Sequence, residues 1–245
     1  MKLVTYEAGG ATGAGVIAGG RILDATAALG SPITLRDVQA VLELDGSPLE
    51  RLREAAAKPE SWPSVALEAV RLRSPILRPP TVRDYMVFGE HASAQGSREP
   101  AEAWFRLPIF YFSNTLRIFG PDEEVPYPTA SASLDYELEL GCVIGREGSD
   151  VKEGDAMSHV AGFTIFNDWS CRDLQFDEMQ VRLGPAKGKD SATSLGPWIV
   201  TADELAPYLR GGRLNVGCTI RVNGDTWLTK GHGATAETQS TPGAR

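Results

Sequence analysis

Three prolines within six residues, Pro75, Pro79 and Pro80 of LRSPILRPPTVRDY, constrain the folding of this 245-residue chain more than any other local feature. Proline has no amide hydrogen to give to a helix or an inner strand, and it stiffens extended backbone. The stretch therefore sets a boundary near residues 73–80. A small N-terminal domain over 1–75 precedes it, and a larger domain over 76–229 follows. Residues 230–245, KGHGATAETQSTPGAR, offer almost nothing apolar to bury and read as a disordered tail.

In the first section, short strand-like runs at 2–7, 15–18 and, after the turn Gly19-Gly20, 21–25 form a β meander. Two short helices are expected over 35–43 and 48–57. Thr34 with Asp37, and Ser47 with Glu50, place a capping hydroxyl three residues before an acid, and Pro48 suits a first helical position. In the second section, residues 89–106 are polar and Ala-rich and read as a loop or short lid helix. Strand-like runs resume at 136–144, 159–166, 197–200 and 215–221, the last closed by the hairpin turn Asn223-Gly224. The pattern predicts an α+β fold that is predominantly β, with a small N-terminal α/β domain.

A hydrophobic content of 42% is ample for a packed core. No apolar run approaches the roughly 18 residues of a membrane helix, and the start MKLVTYEAGG lacks a secretory signature, so a soluble, cytoplasmic protein is expected. Cys142, Cys171 and Cys218 are odd in number and widely spaced, which points to reduced core residues and not to a disulfide framework or a zinc site. A net charge of -8 argues against nucleic acid as the main partner and leaves metal cations as ligands.

The chemistry concentrates in four segments. In DYELELGCVIG, side chains two apart on a strand share a face, so Glu137 and Glu139 project together. The flanking apolar residues predict a largely buried strand, where paired like charges need a cation; a solvated acidic face on an exposed edge strand is the alternative. In FTIFNDWSCRDLQ, Asp168 ends an apolar strand, with Arg172 and Gln175 following on one helical face. Asp168 could equally cap that helix, and Arg172 could pair with Asp168 or Asp173. Three carboxylates suit a hard cation, Mg²⁺ or Mn²⁺, with Ca²⁺ also admissible. In RDYMVFGEHASA, His91 follows Asp84 by seven residues and could serve as a base or be a surface histidine without a task. In GPAKGKDSATSLGPWIV, Lys189 and Thr193 could meet a substrate carboxylate or lie in a solvated loop; the spacing is not that of a phosphate loop.

Taken in chain order, with RDYMVFGEHASA first, the four segments resemble the fumarylacetoacetate hydrolase family over about residues 84–221, and the N-terminal meander resembles the small domain of bacterial members. The resemblance implies a mixed β-sandwich roll, usually a homodimer, with Glu137, Glu139 and Asp168 as metal ligands. It also implies His91 as general base, Asp84 as a further carboxylate beside the metal, and Lys189, Arg172, Gln175 and Thr193 around the substrate. Glu90, Glu99 and Glu102 are the acids available to partner His91. The family pattern fades after about Leu228, so a truncated or altered C-terminus is expected.

The activity implied is hydrolytic cleavage of a carbon–carbon bond in a β-diketo acid, an acylpyruvate or fumarylacetoacetate-like compound, through a metal-bound enolate. A lyase or isomerase on keto acids, such as oxaloacetate decarboxylation or tautomerisation of a dienoate, would use the same site. A third expectation, of another class, is a non-catalytic remnant that binds metal or dimerises.

Overall fold

The computed structural model describes residues 1–93, 99–210 and 213–230. Part of the expected lid, 94–98, and nearly all of the expected disordered tail, 231–245, lie outside the described residues. The chain begins with the expected meander, β1 (Lys2–Ala8), β2 (Ala11–Ala18) and β3 (Arg21–Asp24). Three helices follow: α1 (Ala25–Leu29), α2 (Val38–Leu42) and α3 (Pro48–Ala56). The pattern of the sequence assigns no helix to α1, because five residues are too few to show a period. Its local signal is Asp24, whose carboxylate caps it by accepting from Ala27 N at 2.8 Å.

The capping expectation for α2 needs correction. Asp37, not Thr34, is the cap: its Oδ1 accepts from Ala40 N at 3.0 Å, and its Oδ2 accepts from Leu77 N at 3.2 Å. An ionised carboxylate has two oxygens and so reaches two separated donors, where a threonine hydroxyl has a single oxygen. Ser47 does precede α3, but at φ 55 its side chain makes no capping bond, and Pro48 alone marks the start.

The remaining elements are β4 (Ser64–Ala66), β5 (Arg71–Arg73), β6 (Arg83–Tyr85), α4 (Gly89–Ala92), β7 (Phe110–Phe112), β8 (Ile118–Phe119), β9 (Leu134–Asp135), β10 (Leu138–Ile144), β11 (Val160–Asp168) and β12 (Ser170–Cys171). After them come α5 (Arg172–Gln180), β13 (Thr193–Thr201), α6 (Ala202–Leu205), β14 (Leu209–Arg210), β15 (Arg213–Leu214), β16 (Cys218–Val222) and β17 (Asp225–Lys230). Asn223 at φ 53 and Gly224 at φ 89 turn the β16–β17 hairpin as expected.

A nine-stranded sheet in the order β10-β11-β13-β1-β2-β3-β4, with β5 beside β1 and β8 beside β13, organises the chain. All its pairings are antiparallel except that of β8 with β13. The fold is α+β and predominantly β. The register Leu3↔Ile199 carries the sheet across the proline boundary, so the meander continues the sheet of the larger section.

Alternation along β1 makes the core two-sided. Leu3 joins Val16, Leu29, Val38, Val41, Leu52 and Ile199 beneath the helices, while Val4 and Tyr6 pack with Ile22 and Trp198 on the other face. Thr5, fully buried, donates to Pro75 O at 2.7 Å and accepts from Val38 N at 3.1 Å. It thereby pins the proline stretch to the sheet.

The expectation of a largely buried β10 does not hold. Leu140 is 50% exposed and Ile144 62%, and Ile165, paired with Leu140, is 55% exposed. Among the described residues β10 is an edge strand with an apolar row on its open face. Cys142 stands in that row and is exposed, so only Cys171 of the three cysteines is a buried residue as expected. No helix among the described residues is long and apolar enough to cross a membrane.

Candidate metal centre

The ends of β10, β11 and β13 lie side by side. Leu138 pairs with Asn167 and Asp168 with Thr193, while Asp168 N donates to Glu137 O at 3.2 Å. The Asn167 side chain accepts from Glu137 N at 3.0 Å and fixes the residue just before the strand. Glu139 stands opposite Phe166 and therefore shares its face of the sheet. From a separate two-stranded ribbon, β6–β7, Asp84 reaches the same place. One carboxylate oxygen from each of Asp84, Glu137, Glu139 and Asp168 lies within 4.8 Å of the others.

Lys189 and Arg172 partly balance this charge. Lys189, 2% exposed, donates to Ser170 Oγ at 2.7 Å, Glu137 Oε2 at 2.9 Å and Asp168 Oδ2 at 2.9 Å, which occupies all three of its N–H bonds. Arg172 forks onto Asp135 Oδ2, from Nε at 2.8 Å and Nη2 at 2.7 Å, and also binds Glu137 and, at 3.1 Å, Gln175 Oε1. The pairing of Arg172 with Asp168 or Asp173 weighed from sequence is absent among its described partners. Asp168 is not a helix cap either: it is 0% exposed at the end of β11, and Cys171 occupies the cap position of α5.

The electrostatics reflect the crowding. Burial, with the carboxylates of Asp84, Glu137 and Asp168, pushes Glu139 up to about 10. Burial also raises Asp168 to about 6, against the pull of Lys189 and Tyr111. At Glu137 burial acts upward but Lys189 and Arg172 outweigh it and bring the group to about 2. Without a cation the cluster thus favours a protonated Glu139.

Does the donor set fit a divalent cation? Asp168 Oδ1 is buried with no hydrogen-bond partner among the described residues, and so is Thr193 Oγ1, across the ladder from Asp168. A buried carboxylate oxygen left open costs free energy unless something positive meets it. All-oxygen donors of hard carboxylate type fit Mg²⁺, Mn²⁺ or Ca²⁺. The residues present therefore fit such an ion, and Asp84 stands with the three carboxylates expected from sequence.

A pH effect follows with a definite sign. Glu139 is raised from its ordinary 4.5, so its contribution to the stability of the cation-free protein is fully present below 4.5 and is lost as pH rises towards about 10. A bound dication reverses the preference, and its uptake releases protons. Thermal melts of chelator-treated protein at pH 6 and pH 8.5 are expected to show a lower midpoint at the higher pH, with the rise on adding Mg²⁺ larger there. Equal Mg²⁺ effects at the two pH values would contradict the assignment.

His91 lies apart from this network. It is exposed on α4, and its side chain makes no hydrogen bond or ion pair to the described residues. Of its expected acidic partners, Glu102 faces Arg106 at 3.7 Å, Glu99 is exposed, and the Glu90 side chain lies outside the described part. Several residues that the sequence reading passes over belong to the site: Tyr111, whose hydroxyl lies between Asp84 and Asp168; Asp135 and Ser170; and Glu178. Glu178 accepts from three consecutive amides, Ala186 and Lys187 at 2.8 Å and Gly188 at 2.9 Å, and so seats the loop that delivers Lys189. Gly188 is needed there because a Cβ would come within 2.7 Å of the Gln175 backbone.

Comparison with known proteins decides the family. The family model described as fumarylacetoacetate (FAA) hydrolase C-terminal matches residues 81–242. The chain belongs to the fumarylacetoacetate hydrolase family. The match runs beyond Leu228, where the pattern visible by eye fades. The chain is 36% identical over 148 residues to protein Rv2993c of Mycobacterium tuberculosis, covering 60% of this chain and 51% of that one. It is 33% identical over 196 residues to the human mitochondrial oxaloacetate tautomerase FAHD2A, covering 79% of this chain and 58% of that one. The chain thus spans about half the length of these curated relatives. Among solved structures, the fumarylacetoacetate hydrolase of Exiguobacterium antarcticum aligns with a TM-score of 0.67 at 25% identity, over 94% of this chain and 75% of that one. The maleylpyruvate hydrolase of Sphingobium sp. SYK-6, in complex with manganese(II) and pyruvate, shares the fold with a TM-score of 0.66 at 23% identity, over 94% and 76%.

Proposed function

We propose that this chain carries a divalent-cation-dependent site acting on keto acids, and that its reaction is hydrolytic carbon–carbon cleavage of a β-diketo acid such as an acylpyruvate. The observation that carries the reading is the convergence of Asp84, Glu137, Glu139 and Asp168 around the buried Lys189, with Asp168 Oδ1 left open. Those carboxylates would hold Mg²⁺ or Mn²⁺, which when bound supplies positive charge to polarise the keto and carboxylate oxygens of the substrate.

The chain's own residues divide the remaining work. Lys189, held by three acceptors, keeps a fixed positive charge beside the position where negative charge develops on a substrate oxygen, without giving up its bonds to the site. Arg172 and Gln175 hold one another on α5, and with Thr193 they offer polar groups to the substrate's carboxylate. In this reading His91 takes the proton of the attacking water once α4 approaches the substrate.

A second reading, tautomerisation of an oxaloacetate-like acid, is favoured by two observations. The exposed His91 side chain has no acidic partner among the described residues, and the tautomerase FAHD2A is a relative over 79% of this chain. Protein stripped with chelator and reloaded with Mg²⁺ or Mn²⁺ is offered acetylpyruvate and, separately, oxaloacetate in D₂O, and followed by proton NMR. Hydrolysis yields pyruvate plus acetate; tautomerisation leaves the carbon skeleton intact and speeds deuterium entry at C3. Neither result, with Mn²⁺ demonstrably bound, would overturn both readings and favour a non-catalytic metal-binding module.

A further inference from the structure

We infer that Tyr111 is a positioning residue whose hydroxyl seats Asp84 in the carboxylate cluster, an inference that rests on the metal-centre reading above. Asp84 does not belong to the large sheet. It sits on β6, which pairs only with β7 among the described strands, and the register places Asp84 directly opposite Tyr111. Directly opposed side chains share a face and lie close, so the phenol is carried on the same ribbon as the carboxylate it serves.

The hydroxyl spans two structural units. It lies 2.5 Å from Asp84 Oδ2 and 2.5 Å from Asp168 Oδ2, and Asp168, with no exposed surface, is fixed in β11 of the main sheet. A hydroxyl has one hydrogen to donate, so between two carboxylate oxygens it bonds one and holds the other at contact distance, which sets their separation. It engages Oδ2 of each aspartate and leaves Asp168 Oδ1 without a partner for the ion to meet. The ring also lies 5.6 Å from Lys189 Nζ, a contact a phenylalanine would retain. Groups that orient metal-ligating carboxylates typically contribute 10–100-fold to affinity.

The test uses the full chain, stripped with chelator, and Mn²⁺ affinity read by EPR of the free ion for wild type, Y111F, D84N and the double variant. Y111F is expected to bind Mn²⁺ about tenfold more weakly than wild type. If Tyr111 acts through Asp84, the double variant binds within about twofold of D84N. A purely structural role would lower the thermal midpoint without producing this non-additivity. Y111F with wild-type affinity overturns the inference, as does a double variant that loses the product of the two single effects. A Y111F chain that does not fold overturns it too, because a group that only seats Asp84 is dispensable to the fold. Failure of the metal-centre reading shows differently, as a wild-type chain that takes up no Mn²⁺, and the inference then falls with it.

Discussion

Asp168→Asn is expected to reduce Mn²⁺ affinity more than about 100-fold and to abolish detectable turnover of keto acids, since removing a ligand exceeds the 10–100-fold effect of removing a group that orients one. The amide matches the carboxylate in size, so the change removes charge without leaving a cavity. Asp168 has no exposed surface, one oxygen shared by Lys189 and Tyr111, and the other open to the cluster. The amide carries no charge for the dication and presents an N–H₂ donor where an acceptor is needed. Calorimetric titration with Mn²⁺ on the folded variant is the measurement. Affinity within tenfold of wild type would mean that the ion sits elsewhere, and the proposed function would lose its foundation.

The second large effect concerns stability. Ile199→Ala is expected to destabilise the whole chain by about 2–5 kcal/mol, the usual range for truncating a fully buried aliphatic side chain in a rigid core. Ile199 is 0% exposed, opposes Leu3 in the β1–β13 ladder and packs in the cluster with Val16, Val38 and Leu52. For a chain of this size each kcal/mol lowers the midpoint by about 2–4 °C, so a fall of about 4–20 °C is expected. Because β1 and β13 come from opposite sides of the proline boundary, the melt should remain a single transition. Two separated transitions, with only one displaced, would show that residues 1–75 melt independently of the rest.

Part of the site was legible because its signals are local. The spacing of Glu137 and Glu139 is a strand period, and Asp168 ends a nine-residue apolar strand. Asp135 extends the same alternation by one step and was readable by the same rule, but it serves Arg172 and not the cluster. Tyr111 had no such signal. Its place depends on a ribbon crossing to Asp168, 57 positions away, and nothing in LPIFYFSN encodes that distance. The meander was legible from its glycine turns, whereas the pairing of Lys2 with Val200 depends on tertiary packing. The burial of β10 was misjudged for a related reason: apolar residues on one face announce a partner surface but do not supply one.

That open face governs how the protein must be handled. β10 presents an unpaired rim of amide and carbonyl groups on the described sheet, with Leu140, Ile144 and the adjacent Ile165 bare beside it. Such a rim recruits further strands, and native proteins usually blunt it with lysine, proline or a bulge. Among the described residues the irregularity in the β10 pairing is the register shift at Val143/Ile144, at the far end from the carboxylates. Concentrated preparations are therefore expected to associate through this border, with light scattering rising before any Mn²⁺ affinity is lost.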